Sequence, residues 1–312
     1  MKVAAIDCGT NSVRLLVAEG TDGGGLVDLD RRLILTRLGQ GVDATGRFHP
    51  DALARTLDAF AEYAAVLAGF GVDRVRLVAT SAARDASNRE DFFSGARARL
   101  GVDPEIISGD EEAGLSFLGA LTALPNVAAP ALVMDIGGGS TELIVGSGAD
   151  RAGAPRVDHG LSLDIGSVRI RERYLASDPP SAEQVAAARA HVDALLDGAG
   201  IDFATVATWI GVGGTATSLS ALNQRLPAYD RAAVHGSSMT REDLHRLTAE
   251  LLAATVEQVR ALPSMHPKRA DVICAGALIA DRVGARMPVD LTISESDILD
   301  GIALRLLHGT NP

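Results

Sequence analysis

The first part of the chain alternates short apolar runs with polar turns and then changes to helical spacing. Residues 2–7 and 13–19 are predicted strands joined by a polar turn, and a third strand follows a Gly-rich hairpin tip at 20–25. After Pro50, apolar residues recur every three or four positions until a glycine, which predicts a long helix. This mixture indicates an α/β protein.

The pattern continues with alternating strands and helices. Residues 75–80 and 104–108 are predicted strands, and a helix is predicted between them at about 89–100. Ser108 is followed three positions later by Glu111, the S-x-x-E pattern that caps a helix N-terminus. A helix is therefore predicted to begin directly after Ser108.

The second half is also mixed α/β. Ser181 and Gln184 predict a capped helix that runs to about residue 198, and "VATWIGVGGTATSLSAL" predicts a strand, a Gly-rich turn and a helix. Thr240 is predicted to open one long helix through Leu262, and a buried helix is predicted to begin at His266. The strand "VDLTIS" and the helix "SDILDGIALRLLHG" end the pattern.

The opening pattern occurs twice. Asp7-x-Gly9-x-x-Ser12 matches Asp135-x-Gly137-x-x-Ser140, and each turn follows an apolar strand that ends in aspartate. The strands after the turns match as well, Leu15 with Leu143 and Val17 with Val145. These matches predict an internal duplication and hence two lobes.

The two lobes are assigned to residues 1–125 and 126–312, because Pro125 and Pro130 bracket the first convincing boundary. The predicted helix at about 296–310 is a candidate to pack back on the first lobe. A chain of 312 residues is long enough for two ordinary cores.

The net charge and the cysteine content argue against some classes of function and some cellular locations. The formal net charge of −11 argues against a nucleic-acid or anionic-membrane binder, because such proteins usually need a broad positive field. No membrane helix or signal sequence is predicted, because the longest apolar runs near the start are interrupted by Asp7 and Arg14. Two isolated cysteines, Cys8 and Cys274, suit a reducing cytoplasm and are expected to be small buried hydrophobes.

The two Gly-rich turns are candidate phosphate sites. Each precedes a strand instead of a helix, so neither the P-loop nor the Rossmann motif explains them. A tight turn between strands can still direct successive backbone N–H groups into one anion-binding nest, to which hydroxyl and amide side chains add donors. The candidates are Gly9, Thr10, Asn11, Ser12, Gly137, Gly138, Gly139 and Ser140.

Asp7 and Asp135 suggest a metal ion. With one nest on each lobe, both aspartates are expected to converge on a shared cleft, where two carboxylates repel each other unless a cation lies near them. Oxygen ligands together with substrate phosphate favour Mg²⁺. Taken singly, each turn also fits an ordinary hairpin.

Five segments carry a resemblance to a known family. In order they are "AAIDCGTNSVRLLVAEG", "ATSAARDASN", "IISGDEEAGLSFLGA", "LVMDIGGGSTELIVG" and "GVGGTATSLSAL". The chain resembles the exopolyphosphatase and guanosine pentaphosphate phosphohydrolase (Ppx/GppA) family over essentially its whole length, and most closely the short actinobacterial exopolyphosphatases. The resemblance implies two ribonuclease-H-like lobes of the actin, sugar-kinase and heat-shock-chaperone superfamily that close on an interlobe cleft.

The resemblance also implies the chemistry. It predicts Mg²⁺-dependent hydrolysis of a terminal phosphoanhydride, with Glu112 as the base that activates water. Glu112 lies in the first turn of its predicted helix, where the helix dipole favours an ionised carboxylate. Glu111 is the competing residue, and a capping role would explain it without any chemistry.

Further residues follow from the resemblance. Arg84 matches the family arginine near the substrate and is expected to stabilise charge on the terminal phosphate. Glu142 is a candidate ligand of a metal-bound water. Gly213, Gly214 and Thr215 open a helix, and either binding of further phosphates or close strand–helix packing explains them.

Two substrates fit the resemblance, inorganic polyphosphate and guanosine pentaphosphate, and polyphosphate is favoured. Alternatives of other classes are an ATP-dependent small-molecule kinase and a nucleotide-binding actin-like protein without catalysis. A homodimer formed through the second lobe is expected from the resemblance alone.

Overall fold

In the computed structural model, residues 1–21, 25–124, 127–149 and 155–309 are described. The chain forms two compact units, one comprising Met1–Thr122 with Asp297–Pro312 and the other comprising Ala123–Ser296. The last helix therefore belongs to the same unit as the first strand. Residues 22–24 of the predicted hairpin tip and Pro125 of the predicted boundary lie outside the described residues.

The first unit contains five strands and six helices among its described residues. Its elements are β1 (Lys2–Cys8), β2 (Ser12–Gly20), β3 (Leu26–Leu35), α1 (Val42–Thr45), α2 (Pro50–Phe70), β4 (Arg74–Ala79), α3 (Ser81–Asp85), α4 (Arg89–Leu100), β5 (Pro104–Ile106), α5 (Gly109–Ala123) and α13 (Ile298–His308).

The sheet of the first unit has the order β3-β2-β1-β4-β5. The first three strands pair antiparallel, whereas β1, β4 and β5 run parallel. Apolar residues of α2 and α4 cover one face, and those of α5 and α13 cover the other. Because both faces of the sheet are covered, β1 is apolar on both sides from Val3 to Ile6, and Asp7 follows near its end.

Among the described residues of the second unit there are six strands, one of them only two residues long. Its elements are β6 (Ala131–Ile136), β7 (Thr141–Ala149), β8 (Pro155–Leu163), α6 (Ser167–Tyr174), α7 (Ala182–Asp197), a 3₁₀ turn (Phe203–Thr205), β9 (Thr208–Val212), α8 (Gly213–Asn223), α9 (Arg231–Val234), β10 (Ser238–Met239), α10 (Arg241–Ala253), α11 (Val256–Arg260), a 3₁₀ turn (Pro267–Arg269), α12 (Ile273–Gly284) and β11 (Leu291–Ile293).

The second sheet repeats the order of the first. Its order is β10-β11-β9-β6-β7-β8, in which β6, β7 and β8 form an antiparallel meander and β6, β9 and β11 run parallel. An antiparallel meander followed by parallel strands is the topology of a ribonuclease-H-like lobe. The predicted α/β fold class is thus confirmed, with one mixed sheet in each unit.

Two of the predicted helices differ from the structure. The helix predicted to open at Thr240 does begin there, but its continuation to Leu262 is wrong, because α10 ends at Ala253 and Thr255 opens α11 with its own capping box to Gln258. The helix predicted to begin at His266 instead starts at Ile273, after a 3₁₀ turn that the His266 side chain caps. Among the described residues, no helix combines the length and the apolar character needed to cross a bilayer.

Helices α5 and α13 cross in backbone contact at two glycines. A Cβ atom on Gly119 would lie 1.8 Å from the Asp297 carbonyl oxygen, and one on Gly301 would lie 2.0 Å from the Leu115 carbonyl oxygen. Backbone atoms cannot rotate away as a flexible side chain can, so neither position tolerates a side chain without moving a helix. The crossing thereby fixes the position of α5, which carries Glu111 and Glu112.

We expect Gly119→Ala to lower the free energy of unfolding by about 2 kcal/mol or more, because the added methyl group forces the two helices apart. Gly114→Ala on the same helix is the matched control, since a Cβ there meets no atom within 4 Å. It should be neutral or stabilising by up to about 1 kcal/mol. Urea unfolding of both variants checks this, and equal stability would contradict the proposed crossing constraint.

Candidate active site

The first polar turn joins β1 to β2 and is closed by a hydrogen bond from Gly9 N–H to the Ser12 carbonyl at 2.9 Å. The loop after β3 binds the remaining carbonyls. Gly39 N–H donates to Thr10 O at 2.8 Å, and the N–H groups of Thr36 and Arg37 donate to Asn11 O at 3.1 and 3.0 Å.

The carbonyls of Thr10 and Asn11 are hydrogen-bonded, but within the described residues the N–H groups of the same two residues have no acceptor. The Asn11 Oδ1 atom is buried without a partner, and the Thr10 hydroxyl lies 3.0 Å from the Ser81 hydroxyl. Adjacent N–H groups without a protein acceptor are what an anion-binding nest requires.

Asp7 precedes this turn and pairs with an arginine that the sequence analysis did not single out. Arg14 lies opposite Asp7 on β2, and its Nε and Nη2 atoms donate to Asp7 Oδ2 at 2.9 and 2.7 Å. Burial raises the pKa of the Asp7 carboxyl, and the Arg14 guanidinium opposes this shift. In the sequence, Arg14 interrupts the apolar run of β2, and a charged residue at such a position indicates an ion pair with a buried carboxylate.

Arg14 also connects the turn to the last helix. Its Nη1 atom donates to Asp297, the N-cap residue of α13, whose Oδ1 accepts the Leu299 N–H at 3.0 Å. Asp300 completes the capping box and accepts a hydrogen bond from Arg31 at 2.7 Å. Burial raises the pKa of Asp300, and Arg31 opposes the shift. Two arginines thus compensate three buried carboxylates.

The second turn, between β6 and β7, has the same closing hydrogen bond, from Gly137 N–H to Ser140 O at 3.0 Å. The N-terminus of α6 binds its carbonyls, with Ser167 N–H on Gly137 O at 2.9 Å. Gly166 permits this approach, because a Cβ there would lie 2.5 Å from Gly139 N. In the described chain, the N–H groups of Gly138 and Gly139 have no acceptor.

Asp135 and Glu142 lie directly opposite each other on β6 and β7. Both are buried, and Glu142 accepts a hydrogen bond from the Ser162 hydroxyl at 2.6 Å. Two opposed carboxylates on neighbouring strands repel each other. Across the described ranges, no group of three or more His, Cys, Asp or Glu side chains forms a ready-made metal site. The pair nevertheless supplies only oxygen ligands, as Mg²⁺ prefers.

The start of α8 lies against Asp135. Gly213 has φ +74°, and a Cβ there would lie 2.5 Å from Asp135 Oδ1. A Cβ on Gly214 would lie 1.5 Å from the Arg269 guanidinium, and the Thr215 hydroxyl donates to Ile136 O at 2.8 Å. Close packing therefore explains both glycines, and it also brings the first turn of α8 beside the end of β6.

Helix α5 presents two adjacent glutamates to different arginines. Ser108 accepts the Glu111 N–H at 3.1 Å, as predicted, but the Glu111 carboxylate accepts from Arg76 at 2.7 Å instead of completing a capping box. Glu112 is buried and accepts from Arg84 Nη1 at 2.8 Å. The same Arg84 nitrogen donates to the Ile107 carbonyl at 3.0 Å. The two residues predicted to be catalytic thus form an ion pair.

The hydrogen bond from Arg76 explains Glu111 as a structural residue. The Arg76 side chain is only 4% exposed and also binds Glu105, at 2.8 Å. Arg76 thereby connects β5, through Glu105, to the first turn of α5, through Glu111, and loss of either carboxylate would leave part of a buried charge without its partner. The Arg84 side chain, 24% exposed, and the Glu112 side chain, 11% exposed, remain partly accessible.

Comparisons with known proteins agree with one another. A model of the Ppx/GppA phosphatase family matches residues 16–308. Exopolyphosphatase 2 of Mycobacterium tuberculosis is 47% identical over 320 residues, which cover 98% of each chain. The crystal structure of an exopolyphosphatase-like protein has a TM-score of 0.92 at 42% identity and 98% coverage of both chains. A Ppx/GppA family member from Aquifex aeolicus has a TM-score of 0.83 at 30% identity, covering 100% of this chain and 99% of its own.

We expect Arg14→Met to destabilise the protein by about 3–5 kcal/mol, because it leaves Asp7 and Asp297 buried without their shared counter-charge. Arg32→Met is the control, since the Arg32 side chain is 42% exposed in its ion pair with Asp30, and its loss should change stability by less than about 1 kcal/mol. Denaturant unfolding measures both. Similar losses for the two variants would show that the buried pairing of Arg14 contributes nothing special.

Proposed function

The chain belongs to the Ppx/GppA phosphatase family, and we propose that it is an exopolyphosphatase in which Glu112 activates water to remove the terminal phosphate of inorganic polyphosphate. Its relatives make it a phosphoanhydride hydrolase. The observation that carries the residue assignment is the Arg84–Glu112 ion pair at the first turn of α5. A general base must be an oriented carboxylate, and in this proposal Arg84 orients the Glu112 carboxylate, whose side chain keeps 11% exposure.

Arg84 performs two tasks in this proposal. Its hydrogen bond at 2.8 Å holds the Glu112 carboxylate in one orientation, so that a bound water is aimed along one line of attack. Its positive charge also offsets the repulsion between Glu112 and an anionic substrate. The guanidinium is suited to accept charge from the terminal phosphate as the phosphorus–oxygen bond breaks.

The turns bind phosphate in the proposal. In the first unit the nest is formed by Gly9, Thr10, Asn11 and Ser12, and the N–H groups of Thr10 and Asn11 supply its donors. In the second unit it is formed by Gly137, Gly138, Gly139 and Ser140. Backbone donors suit an acidic protein, since they bind an anion locally without raising the net charge. Gly213, Gly214 and Thr215 are proposed to add N–H groups from the first turn of α8.

We propose Mg²⁺ as the metal cofactor. Asp135 and Glu142 fit it best, because they are buried, directly opposed and carry only oxygen ligands. Asp7 is the weaker candidate, since Arg14 already donates two hydrogen bonds to its Oδ2 atom. When bound, the ion neutralises phosphate charge during the displacement.

Cysteine chemistry supports a reducing compartment, and we propose the cytoplasm. Cys8 and Cys274 are free and buried. Burial and the neighbouring Asp7 raise the pKa of the Cys8 thiol well above its usual range, so this thiol stays protonated and unreactive. A homodimer is proposed on the family resemblance alone.

We expect Glu112→Gln to lower kcat by at least roughly 100-fold, because the amide keeps the shape of the side chain but cannot accept a proton. Glu111→Gln is the adjacent control and should retain kcat within a few-fold, since Glu111 is bound to Arg76. Phosphate release from polyphosphate measures both variants. Full turnover in Glu112→Gln, or equal losses in the two variants, would exclude Glu112 as the base.

A substrate comparison tests the proposed reaction itself. Long polyphosphate, tripolyphosphate, guanosine pentaphosphate and ATP with sugar acceptors are supplied side by side, with EDTA or with added Mg²⁺. We expect phosphate release from polyphosphate that EDTA abolishes and Mg²⁺ restores. Preferred release from guanosine pentaphosphate would assign the alternative substrate, and acceptor-dependent consumption of ATP would assign a kinase.

A further inference from the structure

The first unit contains a cavity that none of the proposed catalytic residues lines. Its volume is about 480 Å³, and it lies where the beginning of β4, strand β5 and the C-terminal end of α13 meet. Its lining residues are Arg74, Val75, Arg76, Glu105, Arg305, Leu306 and Gly309. Three of these seven residues are arginines, in a chain whose net charge is −11.

The three arginines differ in the hydrogen bonds and ion pairs that they form with the protein. Arg76 is compensated, since it binds the carboxylates of both Glu105 and Glu111. Arg74 donates from Nη1 to the Leu306 carbonyl at 3.1 Å and forms no ion pair with a described residue. Arg305 is half-buried and makes no hydrogen bond or ion pair within the described ranges. Neither Arg74 nor Arg305 therefore has a carboxylate partner among the described residues.

The opposing charges around the cavity are smaller. The C-terminal end of α13 contributes a partial negative charge of about one half, and Arg74 already binds one of the carbonyls there. Arg76 balances only one of the two carboxylates that it binds, Glu105 and Glu111. One negative charge therefore remains against the two positive charges of Arg74 and Arg305. The field in the cavity therefore favours an anion.

The lining also limits the chemistry of the ligand. Among the described residues that line the cavity, Val75 and Leu306 are the only large apolar ones, and none is aromatic, so none offers a ring on which a nucleobase could stack. Guanidinium groups match the oxygen geometry of phosphate. We propose that this cavity is a second oligophosphate-binding site, in which Arg74 and Arg305 bind the anion.

The site is separate from the catalytic residues of the same unit. Strand β4 begins at Arg74 and ends just before α3, which carries Arg84, and its six residues span about 20 Å. Tripolyphosphate is too short to extend over the length of β4, whereas a long polyphosphate chain can do so. Arg76, in the cavity wall, also holds Glu111, the neighbour of Glu112. The site is thus suited to bind a distal part of a long substrate, an extension that rests on the proposed function.

The binding test uses methylenediphosphonate, which cannot be hydrolysed at its bridging carbon. In calorimetric titrations, the double variant Arg74→Gln/Arg305→Gln should bind one methylenediphosphonate fewer per chain than the wild type. Alternatively, it should bind that molecule at least roughly tenfold more weakly. Arg305→Gln alone should weaken the binding of the same molecule without altering the melting temperature, because Arg305 makes no bond to the described protein. The exposed Arg47, in the same unit, provides the control Arg47→Gln. A double variant that titrates like the wild type overturns the proposal.

The kinetic test separates this site from the proposed activity. For the double variant we expect KM for long polyphosphate to rise several-fold, with kcat and the KM for tripolyphosphate unchanged. Arg74→Lys/Arg305→Lys should partly restore the lower KM, because it keeps both charges. An equal rise of KM for both chain lengths contradicts a distal site. If no polyphosphate is hydrolysed at all, the proposed function fails, and the methylenediphosphonate titration still decides whether the cavity binds.

Discussion

The buried arginine Arg14 is the interaction on which the arrangement of the first unit depends. It joins Asp7, at the end of the first strand, to Asp297, at the beginning of the last helix. Neither carboxylate can be buried alone without a large cost in free energy, so the strand, the turn and the helix must come together for any of them to be stable. The helix is held a second time at its glycine crossing with α5, where no side chain fits. The element that carries the proposed base is thereby positioned by the far end of the chain.

Pairing with arginine also distinguishes the two adjacent glutamates. Both lie in the first turn of α5, where the helix dipole favours negative charge. Arg76 is almost fully buried and binds Glu111 together with Glu105, so its role is to stabilise the fold. Arg84 is partly exposed and binds Glu112, whose side chain is 11% exposed. The two ion pairs therefore differ in the exposure of their arginines, and we propose that the pair with the more exposed arginine takes part in the chemistry.

An acidic protein that acts on a polyanion must concentrate its favourable interactions locally. We propose that the two turns do this with backbone geometry. In each, a hydrogen bond from a glycine N–H to a serine carbonyl closes the turn, neighbouring segments bind the carbonyls, and two N–H groups have no acceptor in the described chain. Donors of this kind need no counter-ion in the free protein, whereas an arginine in the same place would. The cavity at Arg74 and Arg305 follows the other strategy, because there two charges are left without a carboxylate partner.

Features that depend only on neighbouring residues were predictable from the sequence. Strand periodicity, the caps at Ser181 and Thr240, the repeated turn and the placement of two glutamates in the first turn of a helix could all be read locally. The break at Thr255 was equally local, since its capping box is visible in the sequence, but the longer apolar pattern concealed it. Tertiary structure alone decided which charges pair and which glycines permit backbone contact. Arg14 and Asp297 are 283 positions apart, and Gly119 meets the backbone of α13 only after both helices have packed on the sheet. Such contacts depend on how whole elements pack against one another, and no periodicity within a single element encodes them.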